Sequence, residues 1–249
     1  MSYESLEPEY QHQEEMLVPI SEQKLGEIFT AVMSRVYGWM TLGLLVTTLS
    51  SLAVLSVPAL FNLFYSNRLV FWGLVIGQFI LVIAISRAAS KLSSGVALAL
   101  FFLYAALMGV MLTGIFLLYS LGTIVFAFGI TTVIFLLLTV IGLTTKQDLT
   151  RWGPILLVGL LGMILASIVN IFFFSEILYW VTTYVLVLIF MGLIVYDSQR
   201  IKKMAYAAAS EGMPEQQVIS SIGVMGALSL YLDFINLFLL LLRIFGRRR

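Results

Sequence analysis

The chain has 249 residues, 61% of them hydrophobic and only 27 charged (14 Lys and Arg, 13 Asp and Glu), with a mean hydropathy of +1.04. A soluble domain of this size cannot cover its surface with so few charges, so the composition excludes that class and indicates an integral membrane protein. A net charge of +1 offers no basic field for nucleic acid, and the lack of cysteine removes disulfides, thiolate nucleophiles and Cys-based metal sites.

Residues 1–27 come first, as a polar tail holding seven of the 13 acidic residues: Glu4, Glu7, Glu9, Glu14, Glu15, Glu22 and Glu27. The only histidine, His12, lies here, so no buried histidine can act as base or ligand. The tail reads as flexible and cytoplasmic, and its acidic start is unlike a secretory signal.

A helix needs about 20 apolar residues to cross a hydrocarbon core. By that measure residues 28–249 form a seven-helix transmembrane domain, with spans near 32–56, 69–86, 94–118, 121–143, 154–174, 178–197 and 218–246. Between Lys91 and Lys146 lie 54 residues without a charge. Continuous rather than alternating hydrophobicity favours helices over a barrel, so the expected class is all-α. The connections are short, and the longest interior one is expected at about 198–217.

Orientation follows the placement of Lys and Arg near span ends. An inside N-terminus puts Lys24, Arg35, Arg87, Lys91, Lys146, Arg151, Arg200, Lys202 and Lys203 in the cytoplasm. Arg68, Arg243 and Arg247 to Arg249 then lie outside if the last segment crosses fully. A re-entrant last segment would return those C-terminal arginines to the cytoplasm and stands as the alternative.

Charges inside spans are the informative residues, because each costs several kcal/mol at the bilayer centre unless paired or hydrated. Asp233 lies in the middle of the last span. Gly223, Gly226, Ala227, Leu230, Asp233 and Asn236 recur there at spacings of three and four. Small residues permit close helix approach, so this stripe should face the bundle and make the last helix central. Ser229 and Asn236 would sit one turn either side of Asp233. Asp197 closes the sixth span, where Arg200 could balance it. Arg87 marks the inner end of the second span, Arg35 snorkels at the start of the first, and Gln78 is expected to make an interhelical hydrogen bond.

These residues carry a resemblance. The run Ala227 to Phe238 (ALSLYLDFINLF), continuing through Arg243 to Gly246, resembles the Bax inhibitor, or transmembrane Bax inhibitor motif, family and its bacterial branch. The stretches RVYGW from Arg35, KQDL from Lys146 and YDSQRI from Tyr196 add to it, so that it covers about residues 28–246. The resemblance implies seven helices with the last inside a ring of six. It also implies a pH-sensing pair of aspartates on the sixth and seventh helices, gating a calcium leak path. The matching residues are Asp197 and Asp233, with Arg87 matching an arginine latch. Gln78 is the nearest polar group to an acidic position that some relatives carry in the second helix.

Two carboxylates sharing a poorly solvated site cannot both ionise cheaply, so such a pair titrates as a unit. Calcium takes about six to eight oxygen ligands. Asp197 and Asp233, with Ser229, Asn236 and carbonyls, offer a partial set suited to weak transit. The expectation is therefore a pH-sensitive calcium leak channel in a bacterial inner membrane, with no cofactor and calcium as the permeant ion. One alternative is a membrane interaction protein whose acidic tail engages a membrane-bound protease or a stress or cell-death partner. Another is a proton-coupled transporter using Asp233. An enzyme is not expected: there is no buried histidine, no His-Glu-x-x-His and no lysine in the last span for a Schiff base. Oligomeric state is not readable from the chain.

Overall fold

The computed structural model describes residues 21–91 and 93–246. The tail expected at 1–27 lies largely outside these residues; the part inside them, from Glu22, is helix. Seven long helices follow: α1 Glu22–Ser56, α2 Arg68–Lys91, α3 Ser94–Leu118, α4 Leu121–Thr144, α5 Trp152–Phe173, α6 Glu176–Ser210 and α7 Glu215–Phe245. Each is long and apolar enough to cross a membrane, and among the described residues there is no strand. The chain is an all-α, multi-pass integral membrane protein.

Caps explain where the helices begin. Ser21, Ser93, Ser120 and Ser175 each accept a hydrogen bond from the backbone amide three residues on, satisfying one of the free N–H groups of a helix start. Asn67 does the same for α2, accepting from the amides of Leu69 (3.0 Å) and Val70 (3.3 Å). At its start, α1 is longer than the apolar run alone suggested. Its first turns hold Glu22 at the positive end of the helix dipole, bury Ile28, and tie Lys24 to Glu215 at the head of α7 (2.6 Å).

The long polar connection expected at 198–217 does not exist as a loop. Helix α6 continues to Ser210, leaving residues 211–214 as a tight turn with Gly212 at φ +79°. Arg200, Lys203 and Ser210 are exposed, while Ile201, Ala205 and Ala209 recur at spacing four and are buried. That is the pattern of an amphipathic helix, not of a loop.

Helix α7 is the axle. Leu230, Tyr231 and Leu237 are fully buried, and burial continues on all sides from Val218 to Leu242. It packs against α1, α6, α4, α3 and α2. Helix α5 stands outside, seated on α6 and burying only Gly153. The small-residue stripe lets neighbouring helices come close, as expected: a Cβ on Gly226 would lie 2.8 Å from Val36 on α1 and 3.0 Å from Ile201 on α6. Helix α7 runs unbroken over 31 residues, about 46 Å, the form of a full crossing rather than a re-entrant segment. Rows of exposed Leu, Ile, Val and Phe on α2, α4 and α5 form the lipid-facing perimeter.

Candidate functional site

Asp233 and Asp197 meet where α7 and α6 pack, their carboxyl groups within hydrogen-bonding reach of each other. The two environments differ. Asp233 is 5% exposed, and its Oδ2 is fully buried without a hydrogen-bond partner. The Asp197 side chain is 14% exposed and reaches the Arg200 guanidinium, 3.8 Å away and one turn on. One carboxylate is therefore at the dry side of the contact and the other at its wet edge. Because α6 extends to Ser210, Asp197 sits well inside a helix rather than at its end.

The rotation of α7 that aims Asp233 at α6 is held two residues earlier. The Tyr231 hydroxyl lies 2.6 Å from Thr47 Oγ1 on α1, in a buried contact. Thr47 Oγ1 also lies within reach of the carbonyls of Gly43 (2.9 Å) and Ala105 (3.0 Å). A threonine hydroxyl has one proton, so Tyr231 donates to Thr47 while Thr47 donates to a carbonyl. Phe101 and Tyr104 meet the Tyr231 ring edge-on, at centroid distances of 5.6 and 6.0 Å. On the other side of α6, the backbone of α4 comes very close: a Cβ on Gly142 would collide with the Val195 carbonyl and lie 2.9 Å from Ser198 Cβ. Asp197 is thus bracketed by residues locked against α4.

A second constraint follows directly after Asp197. Gln199, buried on α6, accepts from the Leu149 amide through Oε1 (2.9 Å) and donates from Nε2 to the Gln147 carbonyl (2.7 Å). It grips the α4–α5 connection as a strand neighbour would. Lys202 donates to the Leu143 carbonyl (3.0 Å), and Lys203 pairs with Asp148 and donates to Thr150 Oγ1 (2.9 Å). The Lys203 ammonium, joined by the Thr150 hydroxyl and amide, holds the exposed Asp148 carboxyl well below the usual carboxylate range. The KQDL and YDSQRI stretches, which carry part of the family resemblance, are joined by this clamp. The signal available was that both are polar and both flank apolar spans.

The remaining expected residues fall in several places. Asn236 is half-buried and donates to its own helix at the Leu232 carbonyl (2.8 Å), so its amide is directed away from the pair. Ser229 is half-buried one turn before Asp233. Arg87 is exposed near the end of α2, and the Arg200 guanidinium lies 3.8 Å from Asp197. The interhelical hydrogen bond expected of Gln78 is not formed among the described residues, and its Nε2 is buried without a partner. Helix α2 packs chiefly on α3, and no acceptor among the described residues meets the buried amide nitrogen there. Arg35 is exposed, with its guanidinium 5.9 Å from the Trp39 ring, as a snorkelling residue should be.

Among the described residues no three acidic, histidine or cysteine side chains converge as a metal cage. Asp197 and Asp233 together carry four carboxylate oxygens, fewer than the roughly six to eight oxygen ligands of a full calcium shell.

Comparison with known proteins places this geometry. Residues 30–249 match the family described as Inhibitor of apoptosis-promoting Bax1. The inner membrane protein YbhL of Escherichia coli K12 is 43% identical over 217 residues, covering 87% of this chain and 92% of that protein. An uncharacterized protein of Borreliella burgdorferi is 44% identical over 217 residues, covering 87% of this chain and 92% of its own length. Protein RP147 of Rickettsia prowazekii is 36% identical over 219 residues, or 87% of this chain and 89% of that one. With a family match spanning nearly all of the helical domain, the chain belongs to the Bax inhibitor family.

Proposed function

We propose that the protein is a pH-sensitive calcium leak channel whose closed state is held by the contact between Asp197 and Asp233. The observation that carries this reading is the buried, unpartnered Oδ2 of Asp233 on the central helix, with its carboxyl group facing that of Asp197. An intramembrane carboxylate without a permanent partner is a functional residue by default. A proton shared between the two groups joins α6 to α7. Without it, two like charges about 4 Å apart repel by about 4 kcal/mol at an effective dielectric of about 20, close to a thousandfold in an equilibrium. Proton occupancy at this one contact is therefore sufficient to bias two arrangements of α6 against α7. A calcium ion passing the separated carboxylates neutralises both. The bacterial inner membrane is the proposed location, as in the name of the Escherichia coli relative.

Purified protein in vesicles loaded with a calcium dye tests the reading. Calcium entry should depend on the protein and vary with pH, and Asp233→Asn or Asp197→Asn should flatten that dependence. Flux and pH profile left intact in both variants would overturn it.

A further inference from the structure

Near the α7 C-terminus, a cavity of about 760 Å³ lies between α2 on one side and α5 on the other, backed by α6 and α7. Its polarity is graded along its length. Arg243, Asn170, Tyr179 and Thr182 mark one end, within a few residues of the ends of α7 and α5 and the start of α6. Leu160, Ile164, Leu186, Phe190 and Phe79 form the other end, with Asn236 turned back onto its own backbone. Leu160 precedes Asn170 by ten residues on α5, a depth of about 15 Å, which is one leaflet of a hydrocarbon core about 30 Å thick. Phe79 on α2 and Ile171 on α5 are exposed, so the cavity opens sideways onto the lipid perimeter.

The polar end holds a cation without a carboxylate partner among the described residues. The half-buried Arg243 donates from Nη1 to Thr183 Oγ1 (3.3 Å) and sits 5.0 Å from the centroid of the Tyr179 ring. No carboxylate pairs with it among the described residues. A guanidinium carries five N–H donors in a fork that suits phosphate oxygens, so a half-buried one with a single hydroxyl acceptor has donors left for an anion. A cation entering this cavity would be repelled by the same charge.

We propose that this cavity seats one anionic phospholipid from the adjoining leaflet. Its phosphate rests on Arg243, and one acyl chain runs along Ile164, Leu186 and Phe190 toward Asn236. The charge at the rim, the apolar floor, the depth of one leaflet and the lateral opening together match that ligand. A seated chain would end one turn of α7 from Asp233, between the pair and that face of the bundle. This site stands whether or not the aspartate pair gates calcium.

The test is native mass spectrometry of the full chain, released from mixed micelles carrying equal phosphatidylglycerol and phosphatidylcholine of matched chains. One retained phosphatidylglycerol per chain is expected, preferred about fivefold, the weight of a single Lys or Arg beside an anionic lipid. Arg243→Gln should abolish the preference, and Arg243→Lys should keep part of it. Ile164→Trp, which fills the apolar floor and leaves the charge, should lower retention of either lipid; it also serves as the deciding variant if Arg243→Gln fails to fold. Unchanged phosphatidylglycerol retention in the folded variants would overturn the site, as would several lipids retained without preference. Displacement of the lipid by millimolar inorganic phosphate would mark an anion site that does not hold the chain, and would overturn it equally.

Discussion

Asp233 on α7 meets Asp197 on α6 with one of its own oxygens buried and unpartnered. A neutral amide can take either place without bringing charge into the bundle. Asp233→Asn should therefore fold, with its thermal midpoint equal to or above that of the parent, while the pH dependence of calcium entry is lost. Thermal unfolding and vesicle flux measured together at pH 6 and pH 8 separate these effects. A large loss of stability would show that the carboxylate serves packing.

Tyr231→Phe removes a buried hydroxyl from Thr47 while keeping the ring that Phe101 and Tyr104 pack against. Thr47 retains its carbonyl acceptors, so the loss is one net hydrogen bond, about 1 kcal/mol. The expected result is a modest fall in thermal midpoint together with a shifted flux–pH profile, because the rotation of α7 near Asp233 is loosened.

Gly142 lies where α4 touches α6 beside Asp197. The atom a new methyl would strike is the Val195 carbonyl, which is backbone and cannot rotate away. Gly142→Ala should cost about 1–3 kcal/mol as an overpacked contact. Gly129, where a Cβ would meet nothing, is the control on the same helix: Gly129→Ala should be neutral or slightly stabilising. Thermal unfolding of the two variants side by side checks the pair.

Gln199→Ala should free the α4–α5 connection. Two backbone groups lose their partners, the Leu149 amide and the Gln147 carbonyl. If the amide is protected by about 1–3 kcal/mol of local structure, its hydrogen exchange should speed up by roughly ten- to a hundredfold. Unchanged exchange at Leu149 would show that Lys202 and Lys203 hold the connection without Gln199.

Asp148 should contribute nothing to pH sensing. Its carboxyl ionises at lower pH in the folded chain than in an unfolded one, because Lys203 and Thr150 favour the charged form. The stabilisation it provides is therefore present above the ordinary carboxylate range and lost only as pH falls through its depressed value. From about pH 5 to pH 8 it stays ionised. Asp148→Asn should leave the position of any flux transition in that window unchanged, in contrast to the Asp233 and Asp197 variants.

The spans were legible in the sequence because lipid permits so few alternatives. A run of about 20 apolar residues has little choice but a helix, since every backbone group must be satisfied within the segment. The central position of α7 was legible for a related reason: its small residues and carboxylate share one stripe, and neither belongs against lipid. The polar extension of α6 beyond Asp197 was not legible from hydropathy, which registers the lysines and arginine of residues 200–203 but not that Ile201, Ala205 and Ala209 share a face. The bond expected of Gln78 is not formed among the described residues, because a polar side chain in a span declares only its need for a partner.

Composition and pattern alone thus determined the membrane, the seven crossings and the intramembrane Asp233, while the resemblance to a family added Asp197 as its partner. Only the tertiary structure decided that Asp197 and Asp233 face each other and that Gln199 ties the next turn to a distant connection. It also decided that Arg243 lies over an apolar cavity with no carboxylate among the described residues to answer it. The division has a physical cause: burial preference is a property of a residue and its near neighbours in the chain. Which buried groups meet depends on helix rotation and close approach, set by contacts such as Gly142 on Val195 and Thr47 on Tyr231, between residues far apart in sequence.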